Sequence, residues 1–347
     1  MVTTELDRLA ALSFTADGHL RLAPCFRVTV YLDTIEEAAF IEYCAAALAL
    51  LRPKLASYQS GSMKKPAAMA DKAEGIVPSW FRRPRQGQPY FAKFTGAGDE
   101  GTSPATLSVV MNYTAPAKFS PEEIEVRRER RRVLYEERGF KLTSPVSEIT
   151  LTVPLDMDLA SPPLLCRWML QRPLIAEAAF ASGHAGLGLN RDSLVANMAL
   201  SDQIEGRVAY AIVRHPGLDW QKNDILDRIM RYERSSRELV PQIKRVNWLT
   251  LTSSRTLALL GHYEAVTERI ASAAGVTTYP LRNGLLIQAG TEPSLGDSST
   301  GELPAAYCHV GHLLRSVRLP SITGPGGSFS SEQAQRWLTA FDEERLG

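Results

Sequence analysis

Apolar residues recur along this chain with two different periods, and the alternation between them lays out its elements. Phe26 to Leu32 (FRVTVYL) alternates like a strand. Asp33 and Thr34 then open a predicted helix, with Glu37 three residues after Thr34 completing a capping box. Phe40, Tyr43, Cys44, Ala47, Leu48 and Leu51 repeat at helical spacing, which predicts one buried face, and Pro53 ends the helix. Residues 54–104 read as irregular, with a short strand at Tyr90 to Phe94. Thr106 to Tyr113 is a better strand, and Pro121 to Gly139 reads as a charged helix. A second unit starts with a strand at Ser147 to Val153, followed by a helix from about Pro163 to Ser182 with a kink or boundary at Pro173. Ala185 to Leu189 reads as a strand, Asp192 to Tyr210 as a helix, Pro216-Gly217 as a turn and Asp224 to Tyr232 as a short helix.

The third unit has the sharpest pattern. Val246 to Thr252 (VNWLTLT) is rich in β-branched and aromatic residues, as buried strands are. A helical segment broken at Gly261 follows. Leu285 to Ala289 (LLIQA) comes after Asn283-Gly284, a tight-turn dipeptide, and pairs as a hairpin with Tyr279 to Leu281. Gly290 to Asp297 is a loop, Leu303 to Val317 a helix and Ser321 to Ser328 a Gly/Pro/Ser loop. Ser330 or Ser331 caps a last helix running through Phe341, with Trp337 and Phe341 one turn apart for packing. Strand-then-helix units thus recur at about residues 26, 147 and 246 without a clean sequence period. The hairpin implies antiparallel pairing. The expected fold is α+β, with a mixed, mainly antiparallel sheet or sheets and packed helices, rather than a doubly wound parallel sheet. The expected organisation is an N-terminal half, 1–145, and a C-terminal half, 146–347, or one continuous domain.

Composition narrows the classes. At 347 residues, with 44% hydrophobic and 22% charged residues, the chain is of globular type, and a net charge of +1 excludes a strongly acidic or basic character. Cys25, Cys44, Cys166 and Cys308 are widely spaced and form no CxxC pair, which suggests reduced thiols. The start, MVTTELDRLAAL, carries acids and lacks the pattern of a secretory signal. The longest apolar run, Tyr43 to Leu51, is too short to span a membrane, so a cytoplasmic protein is expected.

Candidate chemistry is sparse. There is no G-x-S-x-G elbow, and Ser182-Gly183-His184 alone does not make a triad. His309 and His312 lie at i, i+3 beside Cys308, yet no HExxH or CxxC completes a metal set, and ordinary packing is the favoured reading. The glycines Gly183, Gly186 and Gly188 are read as preceding a strand, the wrong order for a dinucleotide cradle, so close backbone packing is favoured. Between Glu122 and Arg138 acids and arginines nearly cancel, as on a solvated helix. From Lys64 to Lys93 the chain is basic and includes WFRRPR, which suits either a solvated loop or a nucleic-acid contact. From Asn283 to Leu314 there is no Lys or Arg, while Glu292, Asp297 and Glu302 are acidic. Asp297 is also well placed to bond its own turn.

The pattern VNWLTL…LLG…GLLIQAG-x-x-P-x-LGD, followed by LPAAYCHVGHLLRSVRLP, resembles the type VI secretion immunity proteins, specifically the family paired with VRR-Nuc and related restriction-type nuclease toxins. FRVTVYLD, ITLTVPL, GHAGLGLN and RHPGLDW extend the likeness over roughly Phe26 to Phe341. The resemblance implies a binding protein whose partner is a cognate nuclease toxin, with no catalytic residues, cofactor or metal. A nuclease presents a basic, phosphate-binding cleft. The acidic loop is therefore the expected contact, with Glu292, Ser294, Leu295, Asp297 and Glu302 as its residues. Two rivals stay open: an enzyme in which His184, His262, His309 and His312 converge, and a nucleic-acid-binding accessory protein using Lys64 to Lys93.

Overall fold

The computed structural model describes residues 4–61, 63–82, 89–96, 105–112, 146–191, 198–220, 229–233, 238–322 and 330–342. Among these, the strands are β1 (Phe14–Ala16), β2 (His19–Leu32), β3 (Leu55–Ser60), β4 (Ala67–Ala68), β5 (Tyr90–Gly96), β6 (Thr106–Met111), β7 (Ser147–Pro154), β8 (Ser182–Arg191), β9 (Met230–Glu233), β10 (Glu238–Pro241), β11 (Leu249–Ser253), β12 (Val276–Leu281) and β13 (Gly284–Ala289). Eleven of them form one sheet in the order β12-β13-β11-β8-β2-β7-β6-β5-β3-β4, with β1 folded back on β2. Every pairing in it is antiparallel. β9 and β10 make a separate hairpin. The fold is α+β. In the sheet β7 lies between β2 and β6, so strands from both sides of residue 145 share it.

Register explains why the central strands are buried on both faces. Val28 faces Leu151 and Ala185 across its neighbours, and Leu251 faces Gly183 and Leu286. Side chains alternate along a strand, so the opposite face carries Thr29, Thr150, His184 and Thr250. Thr29 pairs directly with both Thr150 and His184, and His184 with Thr250. All four are buried. Alternation of this kind normally marks one solvated face. Here the polar face is covered by the chain around residues 215–220 and 242–247, as the hydrogen bond from Ser182 Oγ to the Gln242 carbonyl (2.8 Å) shows.

Ten helices are described: α1 (Glu5–Ala10), α2 (Glu37–Leu51), α3 (Ile76–Arg82), α4 (Pro162–Leu170), α5 (Pro173–Ala176), α6 (Met198–Arg214), α7 (Ser254–Ala258), α8 (Tyr263–Ala271), α9 (Ala305–Leu314) and α10 (Ser331–Thr339). α2 buries the six residues expected of it and packs over β6 and β7. Pro173 starts a new helix rather than kinking an old one. α10 has a full capping box, Ser330 with Gln333.

Several expectations need correction. The Thr34–Glu37 capping box does not form. β2 ends at Leu32, and the helix begins three residues after Thr34, at Glu37, with Glu36 at its N-cap. Glu36 instead accepts the Ala179 amide (3.1 Å). Residues 54–104 are more regular than their Gly and Pro content suggests, since β3, β4, α3 and β5 all lie there. The glycine run does not precede a strand. It lies inside β8, where a Cβ at Gly183 would come 2.7 Å from the Thr29 carbonyl oxygen and one at Gly186 2.0 Å from Asn247 Oδ1. Met230 to Glu233 is a strand, not the end of a helix. The charged helix expected at 121–139 lies outside the described residues. The hairpin loop is Arg282-Asn283, because Leu281 pairs with Gly284. Gly284 is needed for close approach, since a Cβ there would sit 2.3 Å from the Thr252 oxygen.

Trp248, just before β11, is fully buried. Its indole Nε1 donates to the Gly290 carbonyl (3.0 Å), and its ring lies 6.3 Å from that of Phe26. Truncating it removes a large core side chain and one of the two side-chain hydrogen bonds to the Gly290 carbonyl, the other coming from Gln288. Trp248→Ala should therefore lose about 3–5 kcal/mol of stability, read as a lower midpoint in urea unfolding. An unchanged midpoint would contradict this packing.

Candidate functional site

Two constellations stand out: a buried charge cluster on the polar face of the sheet, and the loop between β13 and α9.

The first centres on Asp219. Lys244 Nζ donates to its Oδ1 at 2.7 Å and also to the Trp220 carbonyl. Arg27, on β2, lies with Nη1 3.5 Å from Asp219 Oδ2 and 3.2 Å from the Asp219 carbonyl, and donates through Nη2 to the Leu189 carbonyl at 2.8 Å. His184 Nε2 is 3.2 Å from Asp219 Oδ1, at ion-pair distance but off the line of a hydrogen bond. Glu148 accepts the Thr150 hydroxyl at 2.8 Å. Burial works against ionising Asp219, but Lys244, His184 and Arg27 outweigh it and hold its carboxyl well below the usual range. Burial pulls the His184 imidazole below its ordinary value, and Asp219 offsets this only in part. Burial pushes Glu148 up, against the Thr150 hydrogen bond.

Perturbed titratable groups often mark active sites. Here every member is buried, with at most 7% of its surface exposed, and no substrate can reach the charges. The cluster ties β2, β8 and the two covering segments together. α10 closes over it: Lys244 Nζ lies 5.5 Å from the Trp337 ring centroid, and the Arg245 guanidinium 4.1 Å from Trp337 and 4.7 Å from Phe341.

The histidines have separate partners. His184 belongs to the cluster. His309 Nε2 is 3.1 Å from the Arg269 carbonyl and His312 Nδ1 3.2 Å from the Asp342 carbonyl. His262 is the N-cap of α8. Among the described residues no group of three or more His, Cys, Asp or Glu is placed to hold a metal.

The second constellation, residues 290–304, is irregular but tied at nearly every step. Gly217 donates to the Leu295 carbonyl (2.8 Å), and a Cβ on Gly217 would lie 1.8 Å from the Ser294 oxygen, so only glycine allows the contact. The Ser298 amide donates to the Arg214 carbonyl at the end of α6, and the Ser298 hydroxyl to the Val213 carbonyl. Glu5 of α1 accepts the Leu295 amide (3.1 Å) and the Ser294 hydroxyl (3.3 Å), while Arg8 donates to the Gly296 carbonyl. Tyr307 of α9 accepts the Ser294 amide through its hydroxyl oxygen (3.1 Å).

The five expected contact residues therefore separate. Leu295 is in the core. Ser294 is half-buried and hydrogen-bonded. Asp297 is buried and closes an Asx turn: its Oδ1 accepts the Ser299 amide (2.9 Å) and hydroxyl (2.5 Å), and its Oδ2 accepts Arg214 Nε and Nη2 (both 3.2 Å). The Ser299 hydroxyl leads in holding the Asp297 carboxyl well below its usual value, burial opposes this, and the Ser299 amide and Arg214 reinforce it. Glu292 and Glu302 are exposed, with no ion pair among the described residues. Glu5 and Asp297 are balanced by Arg8 and Arg214, so Glu292 and Glu302 carry the net charge of this face. Two depressions flank the loop, one of about 440 Å³ beside Glu292 and one of about 350 Å³ beside Leu303 and Trp337. Sequence reasoning missed Glu5, Arg8 and Arg214, because only the fold brings them to the loop.

No curated protein matches this chain. Among solved structures, the Pseudomonas aeruginosa T6SS protein PA0821 has a similar fold, with a TM-score of 0.70 and 19% identity, covering 96% of this chain and 88% of that one. The architecture is thus one that a type VI secretion system protein also has. The family model described as type VI immunity for VRR-NUC (TsiV) matches residues 134–341, more than half of the chain, and the chain belongs to that family. The match covers Asp219, Lys244 and the whole loop. Among the described residues no helix is long and apolar enough to cross a membrane.

The cluster predicts a pH signature. The folded protein keeps His184 neutral below the ordinary imidazole value of about 6.5, where the unfolded chain takes up a proton. His184 therefore contributes stability above about pH 6.5 that is lost as the pH falls below it. Glu148, whose folded value is raised, acts in the opposite sense. His184→Gln should flatten the loss of stability between pH 7.5 and 5.5, measured by urea unfolding at each pH. An unaltered slope would show that His184 titrates alike in both states.

Proposed function

We propose that this chain is an immunity protein that binds a cognate VRR-NUC nuclease effector in the cytoplasm and neutralises it without chemistry of its own. The observation that carries this reading is membership of the type VI immunity family over residues 134–341. The geometry is compatible with it. An inhibitor of a lethal enzyme needs an interface of about 1,600 Å² and nanomolar affinity or better, about −12 kcal/mol. A loop fixed before binding reduces the ordering cost of such a complex. The 290–304 loop is fixed in this way, by α1, α6 and α9. Glu292 and Glu302 face a partner that must itself bind phosphate, and opposite charge speeds encounter. In this reading Ser294, Leu295 and Asp297 serve the interface by holding the loop in shape.

The test uses a VRR-NUC nuclease encoded beside this chain's gene. Co-expression of the chain should protect cells from it, and a purified 1:1 mixture should stop DNA cleavage. Cleavage at full rate in the presence of excess chain would overturn the reading. Within a working complex, Glu292→Lys should leave thermal unfolding unchanged and slow association, most at low salt. Asp297→Lys should lower the melting temperature, because it breaks the turn and leaves Arg214 without its partner. Wild-type association rates for Glu292→Lys at every salt concentration would remove the loop as an electrostatic contact.

A further inference from the structure

The depression of about 440 Å³ beside Glu292 lies where three fixed parts of the chain meet. One wall is the turn into β12 together with the end of β13. There the Gly290 amide donates to the Gly275 carbonyl (2.7 Å), and the Gly290 carbonyl accepts both the Trp248 indole and the Gln288 side chain, each at 3.0 Å. The second wall is Pro293 and Ser294 of the loop, held by Glu5. The third is Pro304 and the first turn of α9, where the Tyr307 hydroxyl oxygen accepts the Ser294 amide (3.1 Å). Apart from its two glutamates, the side chains that line the space are small, except for Tyr307, which is buried. The space is therefore open, and its walls are set before any partner arrives.

The charge that faces this space has one sign. Glu5 and Glu292 line it, and among the described residues no Lys, Arg or His does. Glu5 is already committed. It accepts the Leu295 amide, the Ser294 hydroxyl and Arg8 Nη1 (3.1 Å), and it shares the depression with the first turn of α9, whose amides carry partial positive charge. Arg8 also donates to the Gly296 carbonyl and lies 3.9 Å from Asp297 Oδ2, so its charge is divided between Glu5 and the loop. Glu292 remains as an exposed carboxylate without an ion pair among the described residues. Small apolar walls with one free carboxylate suit a side chain that has an apolar stem and a cationic head. A nuclease that binds phosphate carries such side chains on its surface.

We infer that this depression receives one arginine or lysine side chain of the nuclease, its stem against Pro293, Pro304 and Ala305 and its head group on Glu292. This rests on the immunity reading above. It gives Glu292 more than a steering role: a charge at the rim speeds encounter, whereas one that closes on a seated head group holds the complex together.

The experiment measures association and dissociation rates with the same VRR-NUC nuclease, together with thermal unfolding, for the wild type, Glu292→Gln, Ala274→Trp and Ala305→Trp. Glu292→Gln keeps the shape and removes the charge. It should raise Kd by about 10-fold or more, mainly through faster dissociation. The two tryptophans fill the depression from different walls and leave its charge alone, and each should raise Kd by about 30-fold or more. All three positions are exposed, so all three variants should melt with the wild type. If both folded tryptophan variants bind as tightly as the wild type, or if Glu292→Gln changes only the association rate, the receptor is refuted while the immunity reading stands. If the tryptophans weaken binding and Glu292→Gln leaves both rates unchanged, the occupant is uncharged and the inference is overturned in the same way. If the wild type does not bind, the immunity reading falls and the receptor with it.

Discussion

The burial of Asp219 is the constraint that the rest of the molecule answers. An isolated carboxylate in an apolar interior would cost several kcal/mol, so it persists only with partners on every side. Those partners come from remote places in the sequence: Arg27 from β2, His184 from β8 and Lys244 from the segment before β11. Satisfying one charge therefore fixes the central strands and both covering segments in a single arrangement. The pairing also has to be complete. Arg27 and Lys244 oppose Asp219 and Glu148, and the raised Glu148 together with the neutral His184 lets the cluster adjust its protons rather than hold an uncompensated charge. A salt bridge at this depth is a poor source of net stability compared with apolar packing. Its evident consequence here is specificity, since no other register of these strands brings the four groups together.

That cluster was poorly legible in the sequence, for a physical reason. Local pattern reports the period of a strand and not what lies over it. Phe26 to Leu32, Ser147 to Val153 and Val246 to Thr252 were all readable as strands, and the hairpin correctly implied antiparallel pairing. The threonines on their alternate positions look like a solvated face, and only the fold shows that face to be covered. Signals were present in hindsight. Arg27 interrupts an apolar strand, and Lys244-Arg245 directly precedes a core strand; buried cations in such places require anions. Asp219 itself sits in RHPGLDW, which reads locally as a turn and nothing more. The capping box at Thr34 failed in the complementary way: the local motif was intact and β2 ended at Leu32 as expected, but the helix started only at Glu37, with Glu36 as its N-cap.

The loop at 290–304 was legible as a loop and as an acidic stretch, because both are local properties. Its division into exposed and structural acids was legible in part: Asp297 could be read as bonding its own turn, and it does so through Ser299. Its burial against Arg214, and the exposure of Glu292, come from the fold. Glu5 and Arg8, nearly three hundred residues earlier, brace the same loop. Rigidity of this kind arises from tertiary contact, so no window of sequence contains it.

The two constellations are mechanically continuous. Trp337 donates its indole N–H to the Leu218 carbonyl, next to Asp219, and its ring covers Lys244 and Arg245. Another part of Trp337 lines the depression beside Leu303 and Val213. His215, four residues before Asp219, meets the Gly296 carbonyl through Nδ1 at 2.9 Å, and Gly217 meets Leu295. The segment 215–220 is thus held at one end by the buried charges and at the other by the loop. A loop set on so short a bridge inherits the rigidity of the core. It has little freedom to reshape itself around unrelated partners, which is the property that the proposed recognition of one toxin calls for. In this fold the charges that never meet solvent determine where the exposed ones stand.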